Sequence, residues 1–126
     1  RIKKGLQKKL KLGNLKSERD WGYAEDYIKA MWLMLQQKKP DDFVIGTGKV
    51  CSVENFARLA FEHVGLNYRD HIIIDKSLMR PAEVDSLRAN YAKAKKKLGW
   101  NPKVSIKELV SMMVEADLEF VTNYKY

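Results

Sequence analysis

Two short stretches bring together side chains able to hold a phosphorylated ligand. The first is Arg19-Asp20-Trp21-Gly22, just before an apolar periodic run, and the second is Arg80-Pro81-Ala82-Glu83. A guanidinium presents a planar fork of N–H donors that fits a phosphate bidentately. A carboxylate instead accepts from the hydroxyl pair of a sugar or ribose. Arg19 stands at an expected helix start, where amides and dipole favour an anion. Pro81 fixes the turn, so Arg80 and Glu83 are aimed with less entropy to lose. Together the stretches read as a diphosphate clamp, with Arg19 as one half and Arg80 as the other. The plainer alternative for the first stretch stays open: Asp20 caps the helix, Arg19 pairs with it, and Trp21 packs. Asp85 is assigned to the fold.

Other chemistries fit less well. Gly46-Thr47-Gly48 offers two glycines, but a dinucleotide fingerprint needs a third where Cys51 stands. Gly48-Lys49 lacks the Ser or Thr and the upstream glycine of a P-loop. His63, His71 and Cys51 have no metal-ligand spacing, so no metal is expected. Cys51 is read as a small apolar or surface residue, since no histidine motif accompanies it. Tyr91 and Lys95 match the Tyr-x-x-x-Lys proton-transfer pair of short-chain dehydrogenases, and spacing of four puts both on one helix face. That helix is expected to stop at Gly99, too short for the catalytic version, so no catalytic residue is assigned.

The elements that must position the clamp are short strands alternating with helices, an α/β class. Residues 1–9 read as the last turns of a helix, and Leu10-Lys11-Leu12 as a short strand ending at the Gly13-Asn14 turn. The period of Ala24, Tyr27, Ile28, Met31, Met34 and Leu35 predicts a helix over 23–38 with that face inward. Phe43-Val44-Ile45 is a buried-strand candidate. Ser52 should cap a helix over 53–64 whose face is Val53, Phe56, Ala60 and Val64, with Gly65 past its end. A second strand is expected over 71–75, and a short helix over 92–98. Ser105 and Glu108 form a capping box opening a last helix, whose face is Ile106, Leu109, Met113, Ala116 and Phe120.

A chain of 126 residues, 45% hydrophobic, is read as one domain or less. No apolar run approaches the roughly 20 residues needed to span a bilayer, so no membrane partner is expected. One cysteine excludes an internal disulfide framework and fits a reducing compartment, with cytoplasm as the expectation. The net charge of +8 is uneven: residues 1–16 hold seven cations and no acid, and Lys93, Lys95, Lys96 and Lys97 cluster again. Such runs attract polyanions or form solvated helix faces. Aromatic residues are not interleaved with the first run, so nucleic acid is not expected as a partner.

The motifs carry a family resemblance. Leu12-Gly13-Asn14-Leu15, Arg19-Asp20-Trp21-Gly22-Tyr23-Ala24-Glu25-Asp26-Tyr27 and Ala30-Met31-Trp32-Leu33-Met34-Leu35-Gln36 resemble GDP-mannose 4,6-dehydratases, as do Arg80-Pro81-Ala82-Glu83-Val84-Asp85 and Lys93–Trp100. The likeness covers essentially the whole chain and places it in the C-terminal third of such an enzyme. It implies an extended short-chain dehydrogenase fold, with residues 1–126 as the GDP-sugar-binding domain and an NADP-binding Rossmann domain upstream. It also implies a lyase reaction converting GDP-mannose to GDP-4-keto-6-deoxymannose by oxidation at C4, water loss across C5–C6 and return of the hydride to C6. By the same analogy Arg19 and Arg80 hold the diphosphate, and Glu83 a hydroxyl of the sugar or ribose. The Leu10–Leu12 strand borders the guanine, with Leu10, Leu12 and Asn14 among the substrate-binding positions. The glycine-rich NADP loop, the Ser/Thr–Glu pair and the catalytic Tyr-x-x-x-Lys belong upstream of Arg1, so the chain alone is expected to be inactive. A homo-oligomer or an N-terminal domain is the expected protein partner, and GDP or GDP-mannose the ligand. Two departures are visible: Lys76-Ser77-Leu78-Met79 stands where the family has Pro-Arg-Tyr-Phe, and Ala89-Asn90-Tyr91-Ala92 replaces Gly-Asp-Pro-Ser. The alternatives are a related GDP-sugar reductase or epimerase, or a non-catalytic binding or assembly module with a basic surface.

Overall fold

Local capping chemistry sets several helix ends. The computed structural model describes residues 1–80 and 82–123. In chain order the elements are β1 (Leu10–Leu12), β2 (Glu18–Arg19), α1 (Ala24–Leu35), β3 (Cys51–Ser52), α2 (Val53–His63), β4 (Ile72–Ile74), β5 (Ser86–Leu87), α3 (Ala92–Leu98) and α4 (Ile106–Asn123). Ser52 Oγ accepts from the Asn55 amide at 3.1 Å and starts α2. Gly99 takes φ +65° just past α3, a conformation open to glycine at no Cβ cost. The Ser105 amide donates to Glu108 Oε2 at 2.8 Å and the Glu108 amide to Ser105 Oγ at 3.3 Å, completing the expected box at the start of α4.

Among the described residues the strands form two small sheets. Strand β1 runs parallel to β4, with Leu10, Lys11 and Leu12 opposite Ile72, Ile73 and Ile74. The other sheet has the order β3-β2-β5: Arg19 faces Cys51 in an antiparallel pair and Leu87 in a parallel one. Strand β5 therefore carries the segment after Glu83 to the edge of the strand that holds Arg19. The core gathers Ala30 of α1, Ala94 and Leu98 of α3, and Trp100, with Tyr27, Phe43, Ile45 and Tyr91 packed against it. Helix α2 contributes buried Ala57 and Phe61, and α4 contributes Leu109 and Val110.

Five sequence expectations are corrected. Residues 1–6 close as a helix end does, with Leu6 N to Arg1 O and Gly5 N to Ile2 O, both 3.0 Å, around Gly5 at φ +73°, but that end falls at Gly5 rather than at residue 9. The segment 43–45 is in no sheet, although it alternates like a strand: Phe43 and Ile45 pack inward and Val44 is exposed. Helix α1 buries Ala30 and Asp26 and leaves Ile28, Met31 and Leu35 exposed, Leu35 at 82%. Its sequence is apolar nearly all round, so periodicity does not choose the side; packing of Ala30 in the cluster with Ala94, Leu98 and Trp100 does. On α4 the inward side is Leu109 and Val110, while Met113 and Phe120 are about half exposed. On α2, likewise, Ala57 and Phe61 are buried deeper than the expected Val53, Phe56, Ala60 and Val64.

Candidate functional site

Arg19 is held at the seam of β2 and β5 by three hydrogen bonds. Its Nη1 donates to Glu18 O at 2.7 Å and to Val84 O at 2.8 Å, and its Nη2 donates to Glu83 Oε1 at 3.1 Å. Both charged side chains are mostly screened from solvent, at 27% and 20% exposure. The Glu18 amide adds a bond to Asp85 O at 2.8 Å, so backbone and side chain together fasten residues 83–85 to β2. A guanidinium has five N–H donors, and the three bonds leave two for a ligand.

Arg80 is exposed three residues before Glu83 and makes no hydrogen bond or ion pair among the described residues. The turn-fixing role assigned to Pro81 lies outside the described residues. Upstream of Arg80 the chain makes a 3-10 turn, Lys76–Leu78, capped by Asp75: its Oδ1 accepts from the Ser77 amide at 3.0 Å and the Ser77 hydroxyl at 2.6 Å. Those bonds, the hydroxyl one foremost, hold the Asp75 carboxyl below the usual carboxylate range. Leu78 and Met79 are left largely exposed beside Arg80.

Strand β1 comes to the same segment from another side. Leu10 and Leu12 are half-buried, and Asn14 Oδ1 accepts from the Lys16 amide at 3.0 Å in a side-chain turn. Between them, Gly13 lies against the backbone of Leu78: a Cβ there would meet Leu78 O at 2.7 Å. The structure thus brings the end of β1 against the turn leading to Arg80, and Arg19 against Glu83 beyond it.

Asp20 does not do what the plainer alternative had for it. It neither caps α1, whose N-cap Tyr23 has no side-chain bond, nor pairs with Arg19. Oδ1 accepts from the Thr47 amide at 2.8 Å and the Thr47 hydroxyl at 2.5 Å, and Oδ2 from the amides of Gly48 at 2.8 Å and Ala89 at 3.2 Å. The carboxylate takes up the amides of the turn after residue 45 and ties that turn to Ala89. Asp26, buried, does similar work for the amides of Lys103 and Val104 at 2.8 and 3.2 Å. An acid just before or within a helix start was the available signal, but its partners are far along the chain. Trp21 does pack, on Phe56 at 4.7 Å between ring centroids, with Nε1 donating to Cys51 O at 3.0 Å. Tyr91, of the Tyr-x-x-x-Lys pair, sits edge-on against Trp100 at 5.7 Å. Tyr27 covers Gly22 closely, and burial first, then the Asp20 charge, raises its phenol above the ordinary value.

A family model described as GDP-mannose 4,6 dehydratase matches residues 1–113. The chain belongs to the GDP-mannose 4,6-dehydratase family. GDP-mannose 4,6 dehydratase 1 of Arabidopsis thaliana is 54% identical over 125 residues, covering 99% of this chain and 35% of that protein. The human GDP-mannose 4,6 dehydratase is 44% identical over 127 residues, covering 87% of this chain and 34% of its own length. The chain therefore spans about a third of the length of the curated relatives it matches. Among solved structures, RMD from Pseudomonas aeruginosa, complexed with NADPH, superposes with a TM-score of 0.85 at 23% identity, over 96% of this chain and 40% of that one. The fold is the α/β one of extended short-chain dehydrogenase-type enzymes. The Gly46–Gly48 loop is tied down by Asp20, leads into a two-residue strand, and has Cys51 at the third glycine position. That loop does not fit the phosphates of a dinucleotide. Among the described residues no helix is long and apolar enough to cross a membrane.

Proposed function

We propose that this chain is the GDP-sugar-binding domain of a GDP-mannose 4,6-dehydratase, the enzyme that converts GDP-mannose to GDP-4-keto-6-deoxymannose. One observation carries the reading: Glu83 meets Arg19 at 3.1 Å while Arg80, three residues earlier, has no ion pair or hydrogen bond among the described residues. Arg80 and the two spare N–H groups of Arg19 take the diphosphate, as charge-assisted donors to its oxygens. Glu83, fixed by Arg19, keeps a second carboxylate oxygen for a sugar or ribose hydroxyl. Leu10, Leu12 and Asn14 border the guanine, next to the Lys76–Leu78 turn. The exposed Leu78 and Met79 supply apolar contact where the family has aromatic rings.

The contribution of these residues is binding and orientation. NADP and the proton-transferring groups belong to a separate Rossmann domain, so the 126 residues alone bind GDP-mannose without turning it over. The apolar side of α1 at Ile28, Met31 and Leu35 is free to meet that domain or a second copy. On this reading the enzyme works in the cytoplasm, a reducing compartment in which Cys51 stays a free thiol. Calorimetric titration of the chain with GDP and GDP-mannose tests the site: both should bind, and Arg80→Ala should weaken them at least ten-fold.

A further inference from the structure

We infer that a cleft formed by the 47–49 turn, the start of α3 and the 102–106 segment is a second anion site, shaped for the phosphate of a small soluble metabolite. It shares no residue with the site proposed above. Two adjoining cavities of about 260 and 650 Å³ meet at Thr47, Lys49 and Tyr91. Lys49, Arg88, Lys95 and Lys103 line them, and no Asp or Glu side chain does among the described residues.

Charge balance sets this cleft apart from its surroundings. On the same helix Lys93 and Lys97 are neutralised by Asp41 at 2.6 and 2.8 Å, and elsewhere Arg19 and Arg58 pair with Glu83 and Glu62. None of the four cleft cations is in an ion pair among the described residues. Like charges converging on a concave surface raise its potential, repel one another, and are relieved by an anion. Guanidinium and ammonium groups both donate to phosphate oxygens.

The walls are fixed before any ligand arrives. Asp20 ties Thr47 and Gly48 to Ala89, which joins the two sides of the cleft. Arg88 Nε donates to Gly48 O at 2.7 Å, which holds its guanidinium at the rim and leaves its Nη groups available. Gly48, at φ +71°, lets the backbone come close to the Tyr91 ring, where a Cβ would sit 3.1 Å from Cε1. Tyr91 lines both cavities, and its hydroxyl makes no hydrogen bond among the described residues, which leaves it available as a further donor. Such pre-organisation lowers the entropy that binding must overcome.

The test is a titration of the ¹⁵N-labelled full chain with sodium pyrophosphate at constant ionic strength, followed by amide shifts. Saturable shifts are expected at 47–49, 88–92 and 103–105. They should weaken at least ten-fold in the Lys49→Glu, Lys103→Glu variant, whose replaced side chains make no ion pair, and persist in Arg80→Ala. A separate set near residue 80 belongs to the other site and should vanish in Arg80→Ala alone. Shifts scattered over the lysines without saturation would overturn the inference, as would shifts indifferent to the double variant. Binding of a 20-nucleotide RNA at the cleft with no response to pyrophosphate would overturn it as well.

Discussion

Arg19 and Glu83, 64 residues apart in the chain, lie 3.1 Å apart across the β2–β5 seam. This contact fastens the loop after Arg80 and engages one oxygen of the Glu83 carboxylate. The two halves also differ in cost of removal. Arg19→Ala strands two backbone carbonyls, those of Glu18 and Val84, whereas Glu83→Gln keeps a hydrogen-bond acceptor. Urea denaturation should therefore show Arg19→Ala destabilised by about 2 kcal/mol and Glu83→Gln by less than about 1 kcal/mol. Equal losses would mean that the ion pair, not the carbonyl bonds, fastens the loop.

Asp20 predicts a larger effect than its half-buried position implies. All four of its partners donate, two to each carboxylate oxygen. Asparagine offers one carbonyl oxygen, so its NH₂ would face two donors. Asp20→Asn should cost about 2 kcal/mol in the same measurement, with exchange of the Thr47, Gly48 and Ala89 amides accelerated. Unchanged exchange at those amides would remove Asp20 from this role.

Gly13 tests the contact between β1 and the Arg80 segment. A methyl group there meets Leu78 O at 2.7 Å, closer than side-chain carbons approach a carbonyl, and the partner is backbone. Gly13→Ala should lower stability by about 2 kcal/mol and weaken GDP binding, because the 76–80 segment must shift. Loss of stability with binding intact would separate the turn from the ligand.

Acid should loosen the molecule in a definable window. Asp41 has its carboxyl depressed by hydrogen bonds from Lys93 and then Lys97, Asp75 by Ser77, and Glu108 by Ser105. Each folded value lies below the unfolded one, so its contribution is complete above roughly pH 4 and is lost as pH falls through the folded value. Thermal melts from pH 7 down to pH 3 should show a falling midpoint below about pH 4, with a shallower fall in Asp41→Asn.

Local chemistry was legible in the residues. Ser52, Gly65, Gly99 and the Ser105–Glu108 box act within a few positions of themselves, and the structure has them as read. The pairing of Leu10–Leu12 with Ile72–Ile74 joins two runs that each looked like strands. What escaped was decided at long range. Asp20 reaches Ala89 across 69 positions and Asp26 reaches Lys103 across 77, and no spacing rule connects them. The inward side of α1 escaped for another reason: Ala30-Met31-Trp32-Leu33-Met34-Leu35 is apolar in every direction, so only its neighbours choose which side is buried. In the candidate site, the motifs carrying Arg19 and Arg80 were visible in the sequence. That Glu83 faces Arg19 was not, because it depends on the parallel pairing of β2 with β5.

The most direct measurement is calorimetric titration of the intact chain with GDP, before and after Arg80→Ala. The account predicts saturable binding of GDP, its affinity weakened at least ten-fold by the substitution while the thermal midpoint stays put, since Arg80 has no partner to lose among the described residues. Absence of GDP binding by the folded chain, or binding unchanged in Arg80→Ala, would contradict it.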